Sequence, residues 1–291
     1  MNSRQKTSGS NSEHRCSEAG SLQHRPKIGV FDSGFGGLTV LHELMAAVPN
    51  ADYLYIGDTA RLPYGSKSPA TVARYATSSV QFLVDQGAEY LVIACNTASA
   101  LAMEAIRAAV SSPVLGVIEP GARAALALTR TKKVSVIGTV ATIQSHAYLA
   151  ALQRLQVAAV EKACPLLVPL IEEGWVDHPV TKQVAKIYLD ELWREEHTNG
   201  HKDSDVLVLG CTHYPLIKPL LHELLPAKTQ LVDSAQATAH ELAGVLGKAN
   251  SSGNKSAVQF FATDSVEKFR ALGSRFLGQT IERVDLIALP E

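Results

Sequence analysis

The chain has 291 residues, 46% of them hydrophobic, and a formal net charge of -1. That length and apolar content allow a large core and two domains of ordinary size, while the near-neutral charge leaves no basic excess for a nucleic-acid backbone or an anionic membrane surface. No apolar run nears the roughly 20 residues of a membrane span, and the N-terminus lacks the apolar centre of a secretory signal, so the expectation is a globular cytosolic protein.

The cysteines, Cys16, Cys95, Cys164 and Cys211, are too few and too scattered for a disulfide framework, and a cytosol keeps them reduced. A zinc site built from Cys95, Cys211, His213 and a carboxylate is sterically conceivable, but no CxxC or other ligand spacing supports it.

Residues 1–26 are rich in Ser, Asn, Gln, His and Arg and poor in aliphatic side chains, which predicts a flexible extension without a core of its own. Order is expected to begin at Lys27-Ile28-Gly29-Val30-Phe31, a strand that runs into Asp32-Ser33-Gly34-Phe35-Gly36-Gly37 and then a helical pattern from Leu38 to Val48. A dinucleotide fingerprint fails there, because the frame starting at Gly34 needs glycine where Thr39 stands. The glycines are instead expected to let backbone amides approach a small anion at the helix start. Asp32 reads either as an Asx-turn carboxylate or as a site residue.

A second strand, Asp52 to Gly57, leads to a polar loop, Asp58 to Lys67, and then a helix capped by Ser68 with Pro69 in its first turn. The run Tyr90-Leu91-Val92-Ile93-Ala94 ends in Cys95-Asn96-Thr97, followed by an alanine-rich helix from Ala98 to Val110 and a strand from Val114 to Val117. Beyond Glu119 the alternation restarts: helix Ala122 to Leu128, strand Lys133 to Gly138, and a helix that Thr142 is expected to cap. The prolines of Cys164-Pro165-Leu166-Leu167-Val168-Pro169 argue against an ordinary helix up to Glu172-Glu173. An amphipathic helix from Pro179 to Glu196 and a polar connector with solvated histidines, His197 and His201, come next. The apolar run Val206 to Leu209 then ends in Gly210-Cys211-Thr212-His213-Tyr214-Pro215, and further strand-to-helix steps begin at Leu231 and at Ala257. Repeated βα units of this kind predict parallel sheets with right-handed crossovers.

Two short apolar strands thus each deliver a cysteine followed by small polar residues at the sheet edge where open α/β folds keep their chemistry. A thiol with an ordinary pKa near 8.5 serves as base or acid close to neutrality. One sulfur on each face of a substrate carbon can remove a proton and return one from the opposite side, inverting the stereocentre with no covalent cofactor. Asp32, the Glu172/Glu173 pair and His213 would be available to set the protonation state of each sulfur.

The motifs Phe31-Asp32-Ser33-Gly34, Leu62-Pro63-Tyr64-Gly65, Ala94-Cys95-Asn96-Thr97 and Gly210-Cys211-Thr212-His213-Tyr214-Pro215, in this order and at these separations, resemble the glutamate racemases of the aspartate/glutamate racemase superfamily. The resemblance covers the chain from Lys27 almost to its end. It implies a cofactor-independent enzyme interconverting L- and D-glutamate, with two similar Rossmann-like α/β domains, residues 27–120 with 231–291 and residues 121–230, and the site in the cleft between them. By the same resemblance Cys95 and Cys211 are the acid/base thiols, Asp32 supports Cys95, and His213 with Glu172 supports Cys211. Asp32, Ser33, Tyr64, Gly65, Asn96, Thr97, Thr212 and His213 match the substrate-contacting pairs. It further implies a homodimer in a bacterial cytoplasm, making D-glutamate for peptidoglycan. An aspartate or hydantoin racemase would share the thiol pair but not Leu62-Pro63-Tyr64-Gly65. A Cys-His hydrolase would leave one thiol redundant, and a non-catalytic amino-acid-binding protein would tolerate loss of either.

Overall fold

The structure, a computed structural model, describes residues 24–198, 204–247 and 256–290. Most of the expected N-terminal extension, with Cys16, lies outside the described residues, as does His201. At its boundary His24 pairs with Glu89 (2.8 Å) and Arg25 with Asp52 (3.2 Å), which ties residues 24 and 25 to the folded body.

The strands follow the apolar runs. They are β1 (Lys27–Asp32), β2 (Asp52–Gly57), β3 (Tyr90–Ile93), β4 (Val114–Gly116), β5 (Lys133–Gly138), β6 (Ala158–Ala163), β7 (Val206–Gly210), β8 (Gln230–Asp233), β9 (Val258–Ala262) and β10 (Asp285–Leu286). Between them lie α1 (Leu38–Ala47), α2 (Pro69–Asp85), α3 (Asn96–Leu101), α4 (Met103–Ala109), α5 (Ile118–Leu128), α6 (Val140–Gln144), α7 (Ala147–Arg154), α8 (Leu167–Glu172), α9 (Pro179–Thr198), α10 (Lys218–Leu224), α11 (Ser234–Leu246) and α12 (Val266–Leu277). One parallel sheet runs β10-β9-β2-β1-β3-β4 and a second runs β6-β5-β7-β8. Helices cover both faces, so β7 is buried at every residue, as its unbroken Val-Leu-Val-Leu-Gly run requires. No helix among the described residues is long and apolar enough to cross a membrane.

The chain leaves the six-stranded sheet after β4, builds the four-stranded one, and comes back to the first at β9. The expected return at Leu231 falls inside β8, which pairs with β7. The way back is made by α11, which packs against both α1 and α5.

Several local expectations change. Pro169 sits three residues into α8, in the first turn, where its missing N–H is not needed; the proline-bearing segment is therefore helical. The helix expected from Ala98 to Val110 breaks at Ala102 into α3 and α4. Thr139, not Thr142, caps α6, its hydroxyl accepting the Thr142 amide at 3.3 Å. Strand β6 carries the mixed sequence Ala-Ala-Val-Glu-Lys-Ala at the edge of its sheet, and no apolar run marks it.

One approach at the C-terminal edge of the first sheet fits only glycine. At the end of β2 a Cβ on Gly57 would collide with the Gly34 carbonyl oxygen and lie 2.8 Å from the Phe269 ring. Because the obstacle is backbone, it cannot rotate away. Gly57→Ala is expected to lower the unfolding free energy by about 2 kcal/mol, the cost of overpacking a rigid site, read as a lower midpoint in urea denaturation at unchanged slope. A midpoint equal to the parent's would contradict this packing.

Candidate functional site

Parallel strands bring their C-terminal ends to one edge. In the first sheet Phe31 is in register with Ile93, so the turns after β1 and β3 lie side by side, and the Ala94 amide donates to the Phe31 carbonyl at 2.8 Å. Those turns carry Asp32-Ser33 and Cys95-Asn96-Thr97. The Cys95 thiol is 3.4 Å from Ser33 Oγ and accepts the Ala98 amide at 3.5 Å, so the sulfur caps α3. Asp32 is 1% exposed; its Oδ2 accepts the Gly34 amide at 2.8 Å in an Asx turn. Oδ1 is buried and has no partner among the described residues. Asp32 is therefore a turn former, and its buried carboxyl acts electrostatically on the Cys95 thiol.

In the second sheet Gly138 is in register with Gly210, which places Thr139 beside Cys211. The Cys211 sulfur lies 3.8 Å from His213 Nδ1, and His213 Nε2 lies 3.1 Å from Glu172 Oε1 at the end of α8. Of the adjacent glutamates, Glu172 makes this contact, whereas Glu173 is exposed as the C-terminal cap of α8. Lys268 stands 3.8 Å from the other oxygen of Glu172, and Phe276 meets the imidazole edge-on with ring centres 4.9 Å apart.

The halves touch directly. The space a Cβ would need at Gly36 is filled by Thr212 Oγ1 and by His213 Nδ1 at 2.5 Å, so this glycine admits the other half's turn. Thr39 Oγ1 lies 3.0 Å from the Thr212 carbonyl oxygen, a donor across the same contact. Thr97 Oγ1 lies 2.9 Å from Thr139 Oγ1 and 3.3 Å from Thr142 Oγ1. Thr139 and Thr142 are additions to the residues expected at the site; the signal for Thr139 was its place at a strand end, like Cys211.

Tyr64 arrives differently from the others. Its ring is buried and its hydroxyl donates to Asp58 Oδ2 at 2.6 Å, while Thr263 Oγ1 holds Oδ1 at 2.9 Å. The loop thus faces the other half through Gly65, whose Cβ would lie 3.1 Å from the Thr139 Cβ.

Different ionisable groups neighbour the two thiols, Asp32 at Cys95 and His213 at Cys211. Burial pushes Cys95 up to about 12, and the neighbouring Asp32 carboxylate adds to it. Asp32 itself is raised by burial, against the opposing pull of the Gly34 amide and the His213 charge. On the other side burial alone would push His213 down, yet hydrogen bonds to Cys211 and Glu172 outweigh it and lift the imidazole to about 10. Burial works to raise Glu172, but the His213 hydrogen bond and charge hold it below the ordinary carboxylate value. His213 is thus an imidazolium at neutral pH, with one N–H toward the Cys211 sulfur and the other toward Glu172. Since His213 is raised and Glu172 lowered, the pair contributes stability that is present between their ordinary values of 4.5 and 6.5. It is lost as pH falls through the lowered Glu172 value or rises through about 10.

A profile described as Asp/Glu/hydantoin racemase matches residues 28–242. The chain is 56% identical to a glutamate racemase of Koribacter versatilis, over 92% of this chain and 99% of that one. The fold matches a glutamate racemase isoform from Bacillus anthracis with a TM-score of 0.83 at 39% identity, covering 91% of this chain and 98% of the other. It also matches the Francisella tularensis glutamate racemase solved in complex with D-glutamate, with a TM-score of 0.80 at 37% identity over 91% and 97% of the two chains.

Glu172→Gln keeps an acceptor for His213 Nε2 but removes its charge. The His213 midpoint, about 10 in the parent, is expected to fall by roughly one pH unit or more in this variant and to stay put in Glu173→Gln. Nitrogen NMR titration of the imidazole reads this directly. A parent midpoint near the ordinary 6.5 would contradict the pairing described.

Proposed function

The chain belongs to the Asp/Glu/hydantoin racemase family, and from that premise we propose that it is a glutamate racemase in which Cys95 and Cys211 act as the two proton-transfer groups. The observation that carries the mechanism is the unequal setting of the two sulfurs at facing strand ends: Cys95 raised to about 12 beside Asp32, Cys211 beside the His213 imidazolium.

Cys95 rests as the thiol and is the acid of the resting pair. The sulfur of Cys211 has a donor and a positive charge from His213 on which to hold an electron pair, with Glu172 compensating the imidazolium behind it. The enantiomer that presents its α-hydrogen to Cys211 loses that proton to the sulfur. The carbanion takes the Cys95 proton on its opposite face, leaving Cys95 as thiolate and Cys211 as thiol. The other enantiomer runs the same steps in reverse and restores the first state. Asp32 serves the Cys95 side, and no cofactor enters the steps.

Ser33, Asn96, Thr97 and Thr212, with the backbone of Tyr64-Gly65, are the groups we assign to holding the amino acid's carboxylates and ammonium. Thr139 and Thr142 extend the same lining through Thr97. The assignment to glutamate is supported by relatives that carry that name over nearly their whole length and by the D-glutamate complex of a matching structure. The product would supply peptidoglycan synthesis in a bacterial cytoplasm.

Racemisation followed by circular dichroism, without added cofactor, tests the reading. Both L- and D-glutamate are expected to lose rotation, with aspartate inert. Cys95→Ser and Cys211→Ser are each expected to lower the rate by about 10³-fold or more, because a serine hydroxyl is far too weak an acid to exchange roles near neutrality. Turnover of aspartate and not glutamate would move the substrate assignment. Full activity in either cysteine variant would end the two-thiol mechanism.

A further inference from the structure

Tyr148, on α7, touches the turns of both cysteines. It is fully buried, and its ring lies against Gly210, the residue before Cys211: a Cβ there would be 3.1 Å from Cε2. A second glycine, Gly121, admits the ring's other edge, with a Cβ position 3.3 Å from Cε1 and from the hydroxyl. The hydroxyl donates to Asn96 Oδ1 at 2.7 Å, and Asn96 is the residue after Cys95. Ser234, at the start of α11, packs its Cβ 3.5 Å from the same Cβ position at Gly121. One side chain from the second half thus fills space beside one cysteine turn and bonds to the other.

Asn96 is 2% exposed, and its Nδ2 has no hydrogen-bond partner among the described residues. A buried amide donor without a partner is costly in a folded protein. An asparagine amide could relieve the cost by turning over, placing Nδ2 against the phenol and leaving its oxygen free. The phenolic hydrogen opposes that, because it needs an acceptor and finds one in Oδ1.

We propose that Tyr148 is a positioning residue that fixes the Asn96 amide with its N–H₂ group presented to the bound substrate, as donor to a carboxylate oxygen. The inference rests on the amino-acid racemase reading for the identity of that acceptor. A donor to a substrate carboxylate acts before any bond to the α-carbon changes, and it is neither of the proton-transfer groups. Its loss therefore appears first in KM.

Tyr148→Phe keeps the ring between Gly121 and Gly210 and removes only the O–H. For both enantiomers KM is expected to rise about tenfold with kcat within about twofold of the parent, the effect of one misdirected hydrogen bond. In an Asn96→Ala background, where no amide remains to be oriented, the same change is expected to add less than about twofold. The side-chain amide resonances of Asn96 report the orientation without any turnover: one sharp pair in the parent, and a second pair or exchange broadening in Tyr148→Phe. Inactivity of the parent on glutamate would therefore defeat the substrate reading and leave the amide resonances to decide this one. An unchanged KM, a fall confined to kcat, full additivity with Asn96→Ala, or identical Asn96 resonances in parent and variant would each overturn the proposal.

Discussion

The turn Thr212-His213 lies so close against Gly36 that no side chain fits between them, and the Thr39 hydroxyl bonds to the Thr212 carbonyl across the same seam. This approach of backbone to side chain ties the end of β7 to the start of α1, and with it the position of one thiol to the position of the other. The strand registers do the rest. Phe31 opposite Ile93 puts Asp32 next to Cys95, and Gly138 opposite Gly210 puts Thr139 next to Cys211. The two cysteine turns are thus held by two sheets and by the contact between them, and not by a long loop.

Charge is distributed as unevenly as the geometry is matched. In the first half burial and then the Asp32 carboxylate favour the Cys95 thiol, against the opposing Ser33 hydrogen bond. The second surrounds Cys211 with an imidazolium and a compensating glutamate, which provide for negative charge on sulfur. Two chemically identical side chains with pKa values near one another would spend most of their time in the same protonation state, and a pair in the same state cannot both give and take a proton. In the two-thiol reading proposed above, the burial that raises Cys95 keeps it the proton donor of the resting pair.

Much of this was visible in the residue order. Short Val/Leu/Ile runs ending in Cys95 and Cys211 marked one strand in each sheet, with its cysteine at the C-terminal end, and Ser68-Pro69 marked the start of α2. What escaped has physical reasons. Strand β6 is an edge strand only partly buried, so its mixed composition shows no period. Pro169 looked like a helix breaker because its place in the first turn depends on where α8 begins. Gly36 leaves room for Thr212, 176 positions away, a contact no local pattern encodes. The Asn96–Tyr148 and Thr97–Thr139 contacts belong to the same class: they cross between sheets and follow from the tertiary arrangement alone.

Separate groups acting on opposite faces of one carbon leave a signature in isotope position that a single base cannot. In deuterated water, at early conversion of L-glutamate, a deuterium taken from the acid that solvent has labelled goes into the product. The proton removed stays on the other sulfur. The account predicts α-deuterium in nearly all the D-glutamate formed and almost none in recovered L-glutamate. Equal labelling of the two, or protium carried across into the D-product, would mean a single group serving both faces and would contradict it.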